Sequence, residues 1–352
     1  MKSRKKSTII ICIAVFCFLY IIFGFKPLQS ELHLTPEWTE DIYHLQEKTE
    51  NDILLAYKLR QNIGYFTPEG KIVTKITFPF KSSISDDFYS VYGADSSSVN
   101  FYSPEGESVF SVNKSGFPFI DKDRIFLMLP GGTSFAAINP DGSTKWQYEY
   151  YSPITSFSSS KNGTVAGYLD GTIISFTNEG KIDQKFSPGG SNLEIILGAG
   201  ISSEGNLIAC ISGQNQQRFV VAEKSEGHSR VIYHEYINKD CPYQSLVQFS
   251  KDDKVIFFDT EDFLGILDLK KLKTAHIPLE GRVIQIEESE TENLIFVLSK
   301  KDNCYTVTII EPFANPVAQF SYNAECSFIR VYENALFIGK NSKISRLTVS
   351  KK

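Results

Sequence analysis

A β-propeller, a closed ring of small antiparallel sheets, is the fold this sequence predicts. Three observations predict it. A hairpin motif recurs at nearly constant spacing, the strands around it are short and rich in aromatic residues, and the last strand of the chain lacks a partner that the start of the chain can supply. A repeat of about forty residues with four strands cannot bury both faces of its sheet alone. Neighbouring units must therefore stack, and seven or eight of them close into a ring.

The N-terminal element comes first. Lys2, Arg4, Lys5 and Lys6 make residues 1–6 a basic tail. From Ser7 to Phe25 there is no charge, and Lys26-Pro27 ends the run. A helix over residues 7–25 reaches about 30 Å, the thickness of the hydrocarbon layer. It is apolar on every side, unlike a helix of a soluble domain. A cleaved signal peptide is the rival reading. Its apolar core is usually shorter and a small-residue cleavage site follows, whereas Leu28-Gln29-Ser30 places a large residue there. Neither Cys12 nor Cys17 sits in a lipoprotein motif. The expected organisation is a cytoplasmic tail (1–6), a transmembrane anchor (7–25), a short linker (26–30) and a propeller (31–352). The basic tail stays in the cytoplasm, so the propeller is expected outside it, periplasmic or extracellular.

The repeat follows. Gly64–Lys71, Asn100–Glu107, Ala137–Ser143 and Ile174–Lys181 align, with glycines at 70, 106, 142 and 180, spaced 36, 36 and 38 residues apart. Each segment runs from an apolar strand through Pro or Asn, then Glu or Asp, into Gly. Pro or Asn opens such a turn and Gly takes its positive φ. A further hairpin precedes the motif, clearest at Thr164–Leu169, Asp170-Gly171 and Thr172–Thr177. The later repeats are looser, with Ala222–Gly227, Leu267–Leu272 and Ile309–Asn315 in equivalent places. Third strands fall near residues 64, 101, 137, 174, 220, 266, 308 and 347, which favours eight blades over seven. The last of these needs a fourth strand, and the alternating Glu31–Thr35 is expected to provide it. Ile42–Gln46 and Asp52–Lys58 are then expected to start the first blade.

One segment carries a resemblance. Asn139-Pro140-Asp141-Gly142-Ser143-Thr144-Lys145-Trp146, then Pro153, Asn162-Gly163-Thr164-Val165 and Asp170-Gly171-Thr172-Ile173, resembles the repeat of the quinoprotein-like (pyrroloquinoline-quinone-type, WD40-like) propeller superfamily. The likeness is good over residues 134–186 and degenerate elsewhere. It implies the fold, with a Trp on the outer strand of a blade. The family holds dehydrogenases and non-catalytic envelope proteins, among them the propeller lipoprotein of outer-membrane protein assembly. The catalytic members show a vicinal Cys pair, an aromatic floor and calcium ligands. Here no cysteines are adjacent, and Trp38 and Trp146 fall on predicted outer positions.

Chemistry-bearing motifs are otherwise absent from the sequence. It has no calcium loop, nucleophile elbow, P-loop or zinc-protease helix motif. No cofactor or metal is therefore expected, and no enzymatic activity. The five histidines are spread along the chain. His228 and His234 are the one pair expected to face each other across a turn, and even these read as solvated. The acidic run Glu287–Glu292 reads as a solvated loop. A formal net charge of -5 argues against a nucleic-acid partner. Export permits disulfides, and the strand order suggests two analogous staples, Cys210–Cys241 and Cys304–Cys326.

Topology then points to a surface. The linker 26–30 spans at most about 18 Å, so the rim where the chain enters is expected to face the bilayer. The opposite rim, built from blade-to-blade links and second-to-third turns, points away. Tyr150 and Tyr151, Tyr243 and Arg282 stand in those links, and Tyr and Arg are common interface anchors. The expected function is a membrane-anchored interaction scaffold with a protein partner in the cell envelope. The alternative is a ligand-binding or sugar-acting enzyme with an unrecognised central site. Convergent acidic residues around the channel would favour the enzyme, and a ring of aromatic and aliphatic side chains on one rim the scaffold.

Overall fold

A middle strand of a propeller blade has a neighbouring blade over each face, so it must be apolar on both. An outer strand needs less cover. The computed structural model obeys this rule; it describes residues 15–16, 32–93, 95–121, 123–225, 228–289, 291–312 and 315–351. All side chains of the strands Ser134–Ile138, Gly163–Tyr168 and Ile173–Phe176 are buried. The outer strand Thr144–Glu149 has none buried.

The strands form eight antiparallel sheets. Blades 1 to 7 span residues 55–77, 81–112, 117–149, 154–186, 193–236, 247–278 and 282–323. Blade 8 combines residues 327–351 with Leu32–Asp41. All eight expected third strands are present. The strand Leu32–Asp41 pairs with Lys343–Lys351 from Leu32↔Lys351 to Asp41↔Lys343, so the start of the chain completes the last blade. It is longer than the expected outermost strand.

The hydrophobic core divides into eight clusters, one at each interface between blades. Ile42, Tyr57 and Phe66 meet Phe337 and Ile344 between blades 1 and 8, which closes the ring. Phe219 and Phe258 stack at 3.9 Å between blades 5 and 6. The four motif turns share one geometry. In each, Gly70, Gly106, Gly142 or Gly180 has positive φ, and its N–H donates to the C=O three residues earlier. A register shift at the end of the third strand accompanies all four.

Blade 1 departs from expectation. It has three strands, Leu55–Leu59, Asn62–Phe66 and Ile72–Thr77, and the innermost is missing. Ile42–Gln46 does not supply it. Leu45 instead makes a single parallel bridge to Ile72 of the outer strand, so this segment runs along the outside.

The chain order places first-to-second and third-to-fourth turns on one rim, the turn rim, where the chain enters at Leu32. Blade-to-blade links and second-to-third turns form the other, the link rim. The anchor expected over 7–25 lies outside the described residues except for residues 15–16. Among the described residues no helix is long and apolar enough to cross a membrane.

Candidate functional site

Apolar side chains left in water mark binding surfaces when they gather on one side of a molecule. Phe80, Phe117, Tyr151, Leu169, Leu193, Tyr236 and Ile284 are all exposed. Each stands in a link, in a second-to-third turn, or within two residues of a link, so all seven belong to the link rim; Leu45, Ile53, Val109, Ile182 and Leu272 are exposed beside the turn rim, so the link rim is set apart by its aromatic members. Tyr151 is the most exposed, at 78%.

Three patches emerge around the rim. In blades 2 and 3, Lys81 Nζ lies 4.7 Å from the ring centre of Phe117 and 5.6 Å from that of Phe80. In blades 3 and 4, Tyr151 rests on Tyr150 with ring centres 4.2 Å apart and hydroxyls 2.9 Å apart. Tyr150 is itself buried and packs on Tyr168; it supports the surface and is not part of it. Its hydroxyl is 3.3 Å from Asp170 Oδ2. Burial alone would raise the Asp170 carboxyl, but hydrogen bonds from Tyr151, Thr172 and Tyr150 hold it below its usual value. In blades 5 to 7, the guanidinium of Arg282 lies 4.7 Å over the ring of Tyr243. Arg282 Nη2 donates to Gln244 C=O at 2.6 Å, and Gln244 Nε2 donates to Thr155 C=O at 3.0 Å. A polar chain thus crosses the channel mouth from blade 7 to blade 4.

All four predicted rim residues lie on the link rim, divided between two patches. Phe80, Phe117, Leu169, Leu193, Tyr236 and Ile284 were missed. An apolar residue beside a strand end reads as core, and only the placement of links in space shows it to be uncovered.

The channel is lined by inner strands whose unpaired edges need partners. Side chains from neighbouring blades cap them. Gln285 Oε1 accepts the Ile329 N–H at 3.1 Å, and Asp86 Oδ1 accepts the Ala56 N–H at 2.8 Å. Asp86 also pairs with Arg330 of blade 8, across the position where blade 1 lacks a strand. This corrects the reading of the acidic run. Glu287 and Glu288 belong to the inner strand Arg282–Ser289 and are half-buried. Burial raises both carboxyls, Glu288 to about 7. The Val331 N–H and Arg330 partly offset that for Glu287, and Glu288 accepts the Lys251 N–H at 3.1 Å. The carboxylates around the channel therefore hold blades together.

One further expectation is corrected. Neither disulfide forms: Cys210, Cys241, Cys304 and Cys326 are free thiols. Cys210 packs into the cluster between blades 4 and 5, whereas Cys241 lies in the link toward blade 6, its backbone clamped by Gln217. Cys326 packs on the blade 1 side of blade 8, whereas Cys304 begins the strand Cys304–Glu311 of blade 7. His228 and His234 lie on one strand, opposite Ser225 and Val220, and both are exposed, in line with their reading as solvated. Among the described residues no group of three or more His, Cys, Asp or Glu is placed to hold a metal ion.

Comparison with known proteins accords with this geometry. A family model described as beta-propeller protein matches residues 1–352. The chain belongs to that β-propeller family. An uncharacterized protein of Treponema pallidum (strain Nichols) is 26% identical to this propeller over 360 residues, covering 99% of this chain and 95% of its own. Among solved structures, BamB from Moraxella catarrhalis matches with a TM-score of 0.60 at 13% identity, over 90% of this propeller and all of BamB. Saccharomyces cerevisiae Sqt1 matches with a TM-score of 0.62 at 12% identity, over 92% of this propeller and all of Sqt1. Both likenesses concern the fold.

Proposed function

We propose that this propeller is an interaction scaffold that binds a protein partner through its link rim. The observation that carries the reading is the gathering of the exposed aromatic side chains Phe80, Phe117, Tyr151 and Tyr236 there, with Tyr151 at 78% exposure as its most prominent member. Aromatic residues and Arg dominate the energetics of protein interfaces. The channel carboxylates support the same reading, since they serve as caps between blades. The reading assigns no catalytic residue.

We further propose that residues 7–25 anchor the chain in a membrane and that the propeller stands outside the cytoplasm, with its turn rim toward the bilayer. The uncharged run and the entry of the chain at Leu32, on the rim opposite the exposed patches, support this. So does the Treponema pallidum relative, whose alignment covers nearly all of this chain and so extends into the hydrophobic segment.

Photo-crosslinking in intact cells tests the scaffold. A crosslinking amino acid at Tyr151 is expected to give a discrete protein adduct, lost when Tyr243 and Arg282 are changed to Ala. The same group at Leu272, exposed on the turn rim, is expected to give none. Identical products from both positions, or none from Tyr151, would defeat the reading.

A further inference from the structure

Asp259 ends the second strand of blade 6, Val255–Asp259, and is 1% exposed. Its N–H donates to Leu246 C=O at 2.9 Å. One carboxylate oxygen, Oδ1, accepts the Val283 N–H at 3.4 Å. The other, Oδ2, is buried without a hydrogen-bond partner.

The groups facing this carboxyl come from three elements. Blade 7 contributes Arg282 and the Val283 N–H. The link between blades 5 and 6 contributes Cys241 and Tyr243. The turn that follows Asp259 carries Glu261 and Asp262, which pair with Lys239 at 2.8 and 3.6 Å. Arg282 is thus the cation that faces Asp259, yet it is engaged elsewhere, over the Tyr243 ring and on Gln244 C=O.

An ionised carboxylate in such a place is poorly solvated, and burial pushes Asp259 up to about 7, with Val283 and Arg282 partly opposing. The neutral acid tolerates an unpaired oxygen. The anion gains strongly from a guanidinium brought to it, because charge-assisted bonds are the strong ones. In the structure Arg282 lies on Tyr243 and donates its Nη2 to Gln244 C=O, while Asp259 Oδ2 is left without a partner.

We propose that Asp259 is a positioning residue for the link rim: protonated, it leaves Arg282 on Tyr243 and Gln244, and ionised, it draws Arg282 off them and loosens the link. This rests on the reading of the link rim as the binding surface. It adds that docking at the Tyr243–Arg282 patch responds to pH near neutrality.

Hydrogen–deuterium exchange of the full chain in detergent tests this without any partner. Rates at pH 6 and pH 8 are normalised for intrinsic exchange. Protection of residues 238–246 is expected to fall several-fold from pH 6 to pH 8 in the wild type. Asp259→Asn is expected to hold the pH 6 protection at both values. Arg282→Gln, at an exposed position, is expected to show low protection at both, and reads the switch even if the buried variant fails to fold. A wild-type link with no pH step overturns the proposal, as does a step that survives in either variant. Crosslinking at Tyr151 reports on the scaffold independently, so the two readings fail separately.

Discussion

The indole of Trp146 lies against Gly180 of the next blade, and its Nε1–H donates to Asn178 C=O at 3.0 Å. A Cβ on Gly180 would sit 2.4 Å from Trp146 Cγ, and its φ of +79° disfavours any side chain. Trp38 repeats the arrangement on Gly70, where the nearest indole atom would be 3.1 Å away, and donates to Pro68 C=O at 3.2 Å. Each Trp thus fastens one blade's outer strand to the next blade's turn. Gly180→Ala is expected to cost roughly 2–4 kcal/mol, from left-handed strain and overpacking together. Gly70→Ala, with more room, is expected to cost about half as much. Thermal melts of the two variants check the order, and equal shifts would show that the indole contact does not matter.

Asp86 and Arg330 are 244 residues apart in sequence and meet across the missing strand of blade 1. Asp86→Ala removes both the ion pair and the cap on the Ala56 N–H, whereas Asp86→Asn keeps an acceptor. A half-exposed pair is worth about 0–1 kcal/mol and a lost cap on a backbone donor about 1–2 kcal/mol. The Ala variant is expected to melt lower than the Asn variant and to be cut faster by protease near residues 45–60. Equal loss in the two would assign the whole effect to charge.

The fold was readable because its turns are written in residue types. Asn-Pro-Asp-Gly and its relatives recur where a positive φ is needed, four third strands follow from them, and the other four from looser equivalents and from the unpartnered last strand. Blade 1 was not readable. Ile42–Gln46 has the apolar content of an inner strand, and nothing local says that it pairs with Ile72 on the outside. Glu287 and Glu288 read as solvated because their partners, the Val331 N–H and Lys251, come from other blades. Which face of its strand Cys210 takes depends on register, and the face it takes, toward blade 4, rules out Cys241. Of the site, the links were legible and so were Tyr151, Tyr243 and Arg282. Phe80 and Leu193 were not, since exposure at a link is a property of the ring.

Buried carboxyls set a pH dependence whose direction follows from their shifts. Burial raises both Asp259 and Glu288 to about 7 in the folded protein, from the ordinary carboxylate values of about 4. Between those limits the native state holds more protons than the unfolded chain, so stability falls as pH rises through about 7. Asp52 works the other way at low pH: hydrogen bonds from Thr49 and Lys71 hold it at about 2, and its contribution is lost as pH falls through that value. The melting temperature is expected to be higher at pH 6 than at pH 8. Glu288→Gln, which retains an acceptor for the Lys251 N–H, is expected to narrow that difference. A melting temperature that climbs from pH 6 to pH 8 would contradict the burial of these groups.

Thiol reactivity separates the four cysteines of the propeller. Cys210 and Cys241 are buried, and burial pushes the Cys210 thiol up to about 12 and raises that of Cys241. A buried thiol with so little thiolate is inert. Cys304 and Cys326 are half-exposed. Iodoacetamide on the native chain is expected to label Cys304 and Cys326 and to spare the other two, with all four labelled after denaturation. Mass spectrometry of the tryptic peptides reads this directly. Native labelling of Cys210 would mean that the interface between blades 4 and 5 opens.

The anchor and the rim make a joint prediction about sidedness. If residues 7–25 span a membrane with the basic tail inside, the link rim is exposed outside the cytoplasm and faces away from the bilayer. Tyr151→Cys, at the most exposed rim position, is expected to react with a membrane-impermeant maleimide in intact cells, without prior lysis. Alkaline carbonate is expected to leave the full chain in the membrane pellet and to release a chain that begins at Glu31. Because the strand Leu32–Asp41 completes blade 8, the shortened chain is expected to keep the full chain's thermal midpoint, whereas one beginning at Tyr43 loses that strand and melts well below it. Labelling only after lysis would place the propeller on the other side. Release of the full chain by carbonate would remove the anchor from the account and leave the ring untouched.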